Sequence, residues 1–182
     1  MRLFLDTCVL YPTITRRLLL SVAQGGGFEP RWSYSVEAEL THAYARVGAS
    51  GKIEAEAVIT AMRRAFDNAV VRTPQDLRLY QLPDVHDAHI FGAAVHGSCD
   101  GIVTFNAKDF PKHILAQEGL LRLSPDEVFL NYAHAQTDHM RKLVQDLWSE
   151  YQSDVPSEAQ LSQKAFVKRA KAPRLAKYLE LT

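Results

Sequence analysis

At 182 residues and 20.5 kDa the chain is long enough for one domain with a small appendage, and 47% hydrophobic residues suffice for a real core. Its formal net charge is zero and its pI about 7.1, so bulk charge points to neither nucleic acid nor membrane. Two cysteines, Cys8 and Cys99, give no disulfide framework, and no apolar run approaches the ~18 residues a membrane helix needs. Arg2 and Asp6 interrupt the N-terminus where a signal peptide would be apolar, so a soluble, cytoplasmic protein is expected.

In chain order, Leu3-Phe-Leu5 is a short apolar run that ends on Asp6 and Thr7. Such a run fits a buried strand or a buried helix. The helical spacing of Ile14, Leu18 and Val22 in the next segment, Thr13 to Gln24, favours strand then helix. Gly25-Gly-Gly27 stops that helix. Phe28 to Trp32 reads as a second strand, and Ser33 or Ser35 caps a helix with Glu37 and Glu39 in its first turns. A further helix opens near Ser50 or Gly51, with Ile53, Ala57 and Ala61 on one face. Ala69 to Arg72 is a third strand. Asp84 at N-cap and Asp87 three residues on read as a capping-box variant, opening a helix to Val95. Gly101 to Thr104 is strand four, a helix near His113 to Gln117 follows, and Leu120 to Leu123 is strand five. Alternating strands and helices argue for a parallel sheet covered on both faces.

Beyond Leu123 the strand signal stops. Ser124 caps, Pro125 takes N1, and helical spacing runs to about Tyr151, with two short helices from about Ser157 and after Pro173. The expected division is an α/β domain over 1–124 and an all-helical extension over 125–182.

The chemistry lies in acids at strand ends. Asp6 follows strand one, Glu39 lies early in the helix after strand two, Asp87 lies in the helix before strand four, and Asn106 and Asp109 follow strand four. In open α/β sheets, ligands sit beyond the carboxyl ends of the strands. Several carboxylates sharing such a crevice need a counter-charge, and a hard divalent cation with oxygen ligands supplies it. Each acid alone also has an ordinary use: Asp6, Asp84 or Asp109 as a helix cap, Glu39 as a solvated face, Asn106 as a turn residue. Glu37 competes with Glu39 for any role. His86, His89, His96 and His113 fall nearby in sequence, but no Cys/His cluster has zinc spacing.

These residues resemble the PIN-domain nucleases, which include VapC-type toxins. The resemblance rests on Leu5-Asp6-Thr7, on Ser33 with Glu39-Leu40, on Asp87-Ala-His-Ile90-Phe-Gly-Ala93, and on Ile102-Val-Thr-Phe-Asn106-Ala-Lys-Asp109-Phe110. It implies a three-layer α/β/α fold with a parallel sheet of about five strands over 1–124. The helical extension is similar to that of one VapC-like subgroup. The implied activity is Mg²⁺- or Mn²⁺-dependent hydrolysis of RNA, with Asp6, Glu39 and Asp87 as the acidic metal-binding centre and the fourth catalytic position at Asn106 or at Asp109, of which Asp109 could hold the metal by charge. The family more often has Asp where Asn106 stands, and its Asp-Thr-Asn opening here reads Asp6-Thr7-Cys8. Thr7, Thr104 and Asp84 would orient the carboxylates. The implied partners are an RNA substrate, a cognate antitoxin and a second copy in a homodimer, with no membrane. The alternatives are a housekeeping RNA-processing nuclease and a PIN-like protein that binds RNA or a partner without cutting. A haloacid-dehalogenase-type phosphatase is disfavoured because Cys8 stands where it needs a second Asp. For holding RNA, Arg16, Arg17, Arg46, Arg63 and Arg64 are available. So is the run Lys164, Lys168, Arg169, Lys171, Arg174 and Lys177, which contains no acid and could equally be a solvated helix face.

Overall fold

The computed structural model describes residues 1–74 and 82–181. In chain order the elements are β1 (Arg2–Leu5), α1 (Thr7–Leu10), α2 (Thr13–Gln24), β2 (Glu29–Ser33), α3 (Tyr34–Ala45), α4 (Ala49–Ala65), β3 (Val70–Val71), α5 (Ala88–His96), β4 (Gly101–Val103), α6 (Lys112–Gln117), β5 (Leu121–Leu123), α7 (Pro125–Ala135), α8 (Thr137–Asp154), α9 (Gln163–Arg169) and α10 (Pro173–Tyr178). They divide into two compact units. One is Met1–Tyr11 with Phe28–Leu123, the other Pro12–Gly27 with Ser124–Thr182.

The first unit holds a five-stranded parallel sheet in the order β3-β2-β1-β4-β5. Leu3, Phe4 and Leu5 are buried on both faces, which suits the central strand of a parallel sheet. With its flanking helices the sheet is the α/β/α arrangement expected. Two local differences matter for the site. A one-turn helix, α1, follows Asp6 at once, and the Asp6 side chain accepts the Cys8 N–H at its start (3.3 Å). The helix expected from Asp84 instead begins at Ala88, after a 3₁₀ turn over Val85–Asp87. Asp84 caps that turn through the His86 N–H (2.8 Å), while the Asp87 carboxylate caps nothing. The tight turn therefore leaves Asp87 unspent.

The face of α4 that carries Ile53, Ala57 and Ala61 is turned outward, with Ile53 71% exposed. Gly51, Ala55 and Met62 face inward instead. The backbone approach at Gly51 explains the rotation. A Cβ there would fall 2.0 Å from the Tyr44 carbonyl oxygen, so only glycine lets α4 close on α3.

The second unit is all-helical, and α2 belongs to it, packing against α7, α8 and α9. The Tyr132 hydroxyl donates to the Gly25 carbonyl (3.1 Å), and a Cβ at Gly25 would sit 2.4 Å from that hydroxyl. Arg16 is buried in this unit, and Arg17 pairs with Glu150. Ser124 and Glu127 form a reciprocal capping box at the start of α7. The buried Asp126 carboxylate accepts the Arg174 and Leu175 N–H groups, both 3.0 Å, and so caps α10 from a distant part of the chain. The turn between α9 and α10 is a Schellman motif. Lys171 N–H bonds the Lys168 carbonyl and Ala172 N–H the Val167 carbonyl, with Lys171 at φ 56°. The expected short helix from about Ser157 is a single 3₁₀ turn, Ser157–Ala159, and the longer helix after it begins at Gln163. Asp126→Ala should cost about 1–2 kcal/mol, the scale of a lost helix cap, read as a lower urea midpoint with an unchanged m-value.

Candidate metal centre

The strand order reverses between β1 and β4, and their carboxyl ends at such a reversal are where open α/β sheets bind ligands. Asp6 leaves β1 with its N–H bonded to the Val103 carbonyl (3.1 Å). Thr104 to Asn106 leave β4 beside it. The loop that continues to Asp109 is tied down by Arg122 of β5, which donates to the carbonyls of Ala107 (2.7 Å) and Phe110 (3.0 Å). The fully buried Phe110 side chain anchors its far end.

Asp84, Asp87 and Asp109 come together here. One carboxylate oxygen from each lies within 4.8 Å of the others, and all three side chains are half-buried. Burial, then the charges of Asp6, Asp109 and Asp84, push the Asp87 carboxyl up to about 6. Asp6 is thus close enough to act on Asp87, but its own oxygens are held elsewhere. Its Oδ2 accepts from the Thr104 hydroxyl (2.5 Å) and the Cys8 thiol (2.9 Å). The Thr104 hydroxyl in turn accepts the Asn106 N–H (2.8 Å). The Asn106 side-chain amide makes a long 3.5 Å contact to Asp87 Oδ2.

Glu39 is not among the three clustered acids. The Thr7 hydroxyl donates to its Oε2, and His89 Nε2 lies 2.8 Å from Oε1. Burial pushes the Glu39 carboxyl up, but the bonds from His89 and Thr7 outweigh it and hold the group below the usual carboxylate range. The bond to Glu39 raises His89 despite its burial, and the charges of Glu39, Asp87 and Asp6 add to it. His89 Nδ1 is buried with no hydrogen-bond partner. His89 is the group that sequence reasoning did not single out. Its signal is the Asp87-x-His spacing, two residues apart where a 3₁₀ turn passes into α5.

Glu37 has a different fate. It is buried, accepts from Trp32 Nε1 (3.0 Å), and is bridged by Arg63 through Nε (2.9 Å) and Nη2 (2.5 Å). That pair takes Arg63 out of the set available to hold RNA. Burial, then Asp6, pushes the Cys8 thiol up to about 12, so Cys8 stays protonated at neutral pH.

Three oxygen donors in reach of one point, crowded enough to raise a neighbour's pKa, fit a hard divalent cation. Two outcomes follow. Because the folded state holds the Asp87 proton up to about pH 6 and the unfolded chain releases it near pH 4, this group costs stability as pH rises through that window. In EDTA, Asp87→Asn should therefore gain Tm relative to the unaltered chain as pH rises from about 4 past about 6. Mg²⁺ or Mn²⁺ should raise the Tm of the unaltered chain at neutral pH and lose that effect below about pH 6. Separately, Glu37→Ala should cost about 1–3 kcal/mol by leaving the Trp32 N–H unpaired in the core, whereas Glu39→Gln should melt within about 0.5 kcal/mol of the unaltered chain.

Against known families, the PIN domain model matches residues 2–108. No curated protein and no solved structure matches the chain. The match spans the sheet from β1 through β4 and the loop that begins at Asn106, and it carries every clustered acid but Asp109. The chain belongs to the PIN-domain family, a nuclease fold that generally works with a divalent metal.

Proposed function

We propose that the chain is a Mg²⁺- or Mn²⁺-dependent ribonuclease that hydrolyses phosphodiester bonds at this centre. The observation that carries the reading is the convergence of Asp84, Asp87 and Asp109 at the sheet's reversal point, with Asp6 close enough to raise Asp87. Asp84, Asp87 and Asp109 would hold the cation directly, and Asp6 would supply the fourth charge from behind them. A bound divalent cation would supply charge compensation and a polarised water for attack on phosphorus.

The protein's own groups then have separate tasks. Thr104 and Cys8 fix the rotamer of Asp6, and the Asn106 amide steadies Asp87. In this division Asp109 brings charge and Asn106 brings orientation. Thr7 and His89 hold Glu39 ionised, and His89 links it electrostatically to Asp87 and Asp6. Arg122 keeps Asp109 in reach by pinning its loop.

The biological setting that best suits a small PIN-domain chain is the toxin of a type II toxin–antitoxin pair, acting in the cytoplasm. The antitoxin would cover the acidic crevice, and a second copy would form a homodimer. Purified chain should cut single-stranded RNA only with Mg²⁺ or Mn²⁺, and EDTA should stop it. Asp6→Asn and Asp87→Asn should each lose about a hundredfold or more in rate while keeping the native circular-dichroism spectrum, the scale of a lost preorganised electrostatic group. Cleavage unchanged in both variants at matched metal removes this centre from the chemistry. Growth arrest on induction, lost in Asp6→Asn and rescued by the product of a neighbouring gene, tests the toxin role.

A further inference from the structure

We propose that α9, the turn after it and α10 form a phosphate-binding face of the second unit that grips the backbone of single-stranded RNA. The inference rests on the ribonuclease reading for its choice of RNA.

The net charge of the chain hides an uneven distribution. Lys and Arg number 21 and Asp and Glu 21, yet Lys164 to Lys177 holds six cations and no acid, which leaves the rest of the chain six charges negative. Folding sorts this stretch completely. Phe166, Val167, Ala170, Ala172, Leu175, Ala176 and Leu179 are buried, while Lys164, Lys168, Arg169, Lys171, Arg174 and Lys177 are all exposed.

The side chains of Lys164, Lys168, Arg169, Arg174 and Lys177 enter no ion pair among the described residues. The nearest buried acid of this unit, Asp126, spends both oxygens on the backbone of α10 rather than on these charges. Spacing also favours a repeating anion. Lys164 and Lys168 are one turn apart on α9, and Arg174 and Lys177 three apart on α10, so each pair presents two cations on one helix edge, about 5–6 Å apart at Cβ. Unpaired cations on a rigid support bind phosphate by releasing counterions, and their signature is a linear fall of log affinity with log salt.

The experiment uses the full chain and a fluorescein-labelled single-stranded oligoribonucleotide in EDTA, with affinity read by anisotropy across a NaCl series. The test variant carries Lys164→Gln, Lys168→Gln, Arg174→Gln and Lys177→Gln together. Four lost phosphate contacts should flatten the log–log slope by about three for a single strand. A second variant, Arg169→Gln, removes one exposed charge of the same face. It should melt within about 0.5 kcal/mol of the unaltered chain and still bind RNA more weakly. An unchanged slope in the fourfold variant, or unaltered affinity in Arg169→Gln, overturns the proposal. So does RNA affinity lost equally at all salt concentrations together with a lost native spectrum, if Arg169→Gln binds normally. Metal-dependent hydrolysis of bis(4-nitrophenyl) phosphate by the unaltered chain tests the acidic centre on its own. A chain that fails there but shows the salt response keeps this face and loses the nuclease reading.

Discussion

Like-charge crowding at one edge of the sheet is the constraint to which the first unit answers. Strand order alone brings the end of β1 and the end of β4 side by side, and the 3₁₀ turn before α5 adds two more acids. Unit charges about 4 Å apart repel by about 4 kcal/mol at the effective dielectric of a protein surface. Among the described residues, neither lysine nor arginine neutralises the cluster: no cation of either type pairs with Asp6, Asp84, Asp87 or Asp109. Neutral donors hold Asp6 instead, and Asp87 keeps its proton to about pH 6. Acids propped by hydroxyl, thiol and amide groups keep their affinity for a cation from outside.

The two glutamates of α3 show how one helix serves both demands. Glu37 and Glu39 are two residues apart and so about 200° apart around the axis. Glu37 turns to the core, where Trp32 and Arg63 compensate it. Glu39 turns toward Thr7 and His89. The Glu37–Arg63 pair, buried at its carboxylate and exposed at its guanidinium, contributes little net stability, because the desolvation of Glu37 and the screening of Arg63 offset the attraction.

Much of the architecture was legible in the chain. Short apolar runs between helical periods marked four of the five strands, the second being read between Phe28 and Trp32 despite Pro30, and the breakers at Gly25, Gly97 and Pro156 fell at element ends. The Thr13–Gln24 helix has the bounds its spacing implied. What periodicity could not show was tertiary in origin. The inward face of α4 is set by a close approach at Gly51, not by where its largest apolar side chain falls, so Ile53 stands in solvent. The position of α2 among the C-terminal helices depends on Tyr132 reaching Gly25, more than a hundred residues away. In the site, the acids announced themselves as acids after strands. Which carboxylates share a point depends on a one-residue choice between an α- and a 3₁₀-turn at Asp84–Asp87, and on Arg122 pinning a loop from the next strand. Neither leaves a local pattern.

Net charge is the instructive case. A sum of zero reads as indifference toward polyanions, and on that ground neutrality weighs against RNA. But electrostatic attraction acts over about 8–10 Å in physiological salt, so a ligand responds to the charges within that range and not to the total. A chain with acids drawn to one sheet edge and cations drawn to one pair of helices can be neutral and still present two strong local fields of opposite sign. For a nuclease the two signs have different tasks. The acidic edge must stay negative enough to hold a cation, and for that reason it repels a phosphate backbone until the cation is present. On the proposed ribonuclease reading, affinity for the backbone would then come from elsewhere on the same chain, and the surplus of positive charge lies in the helices after Ser162.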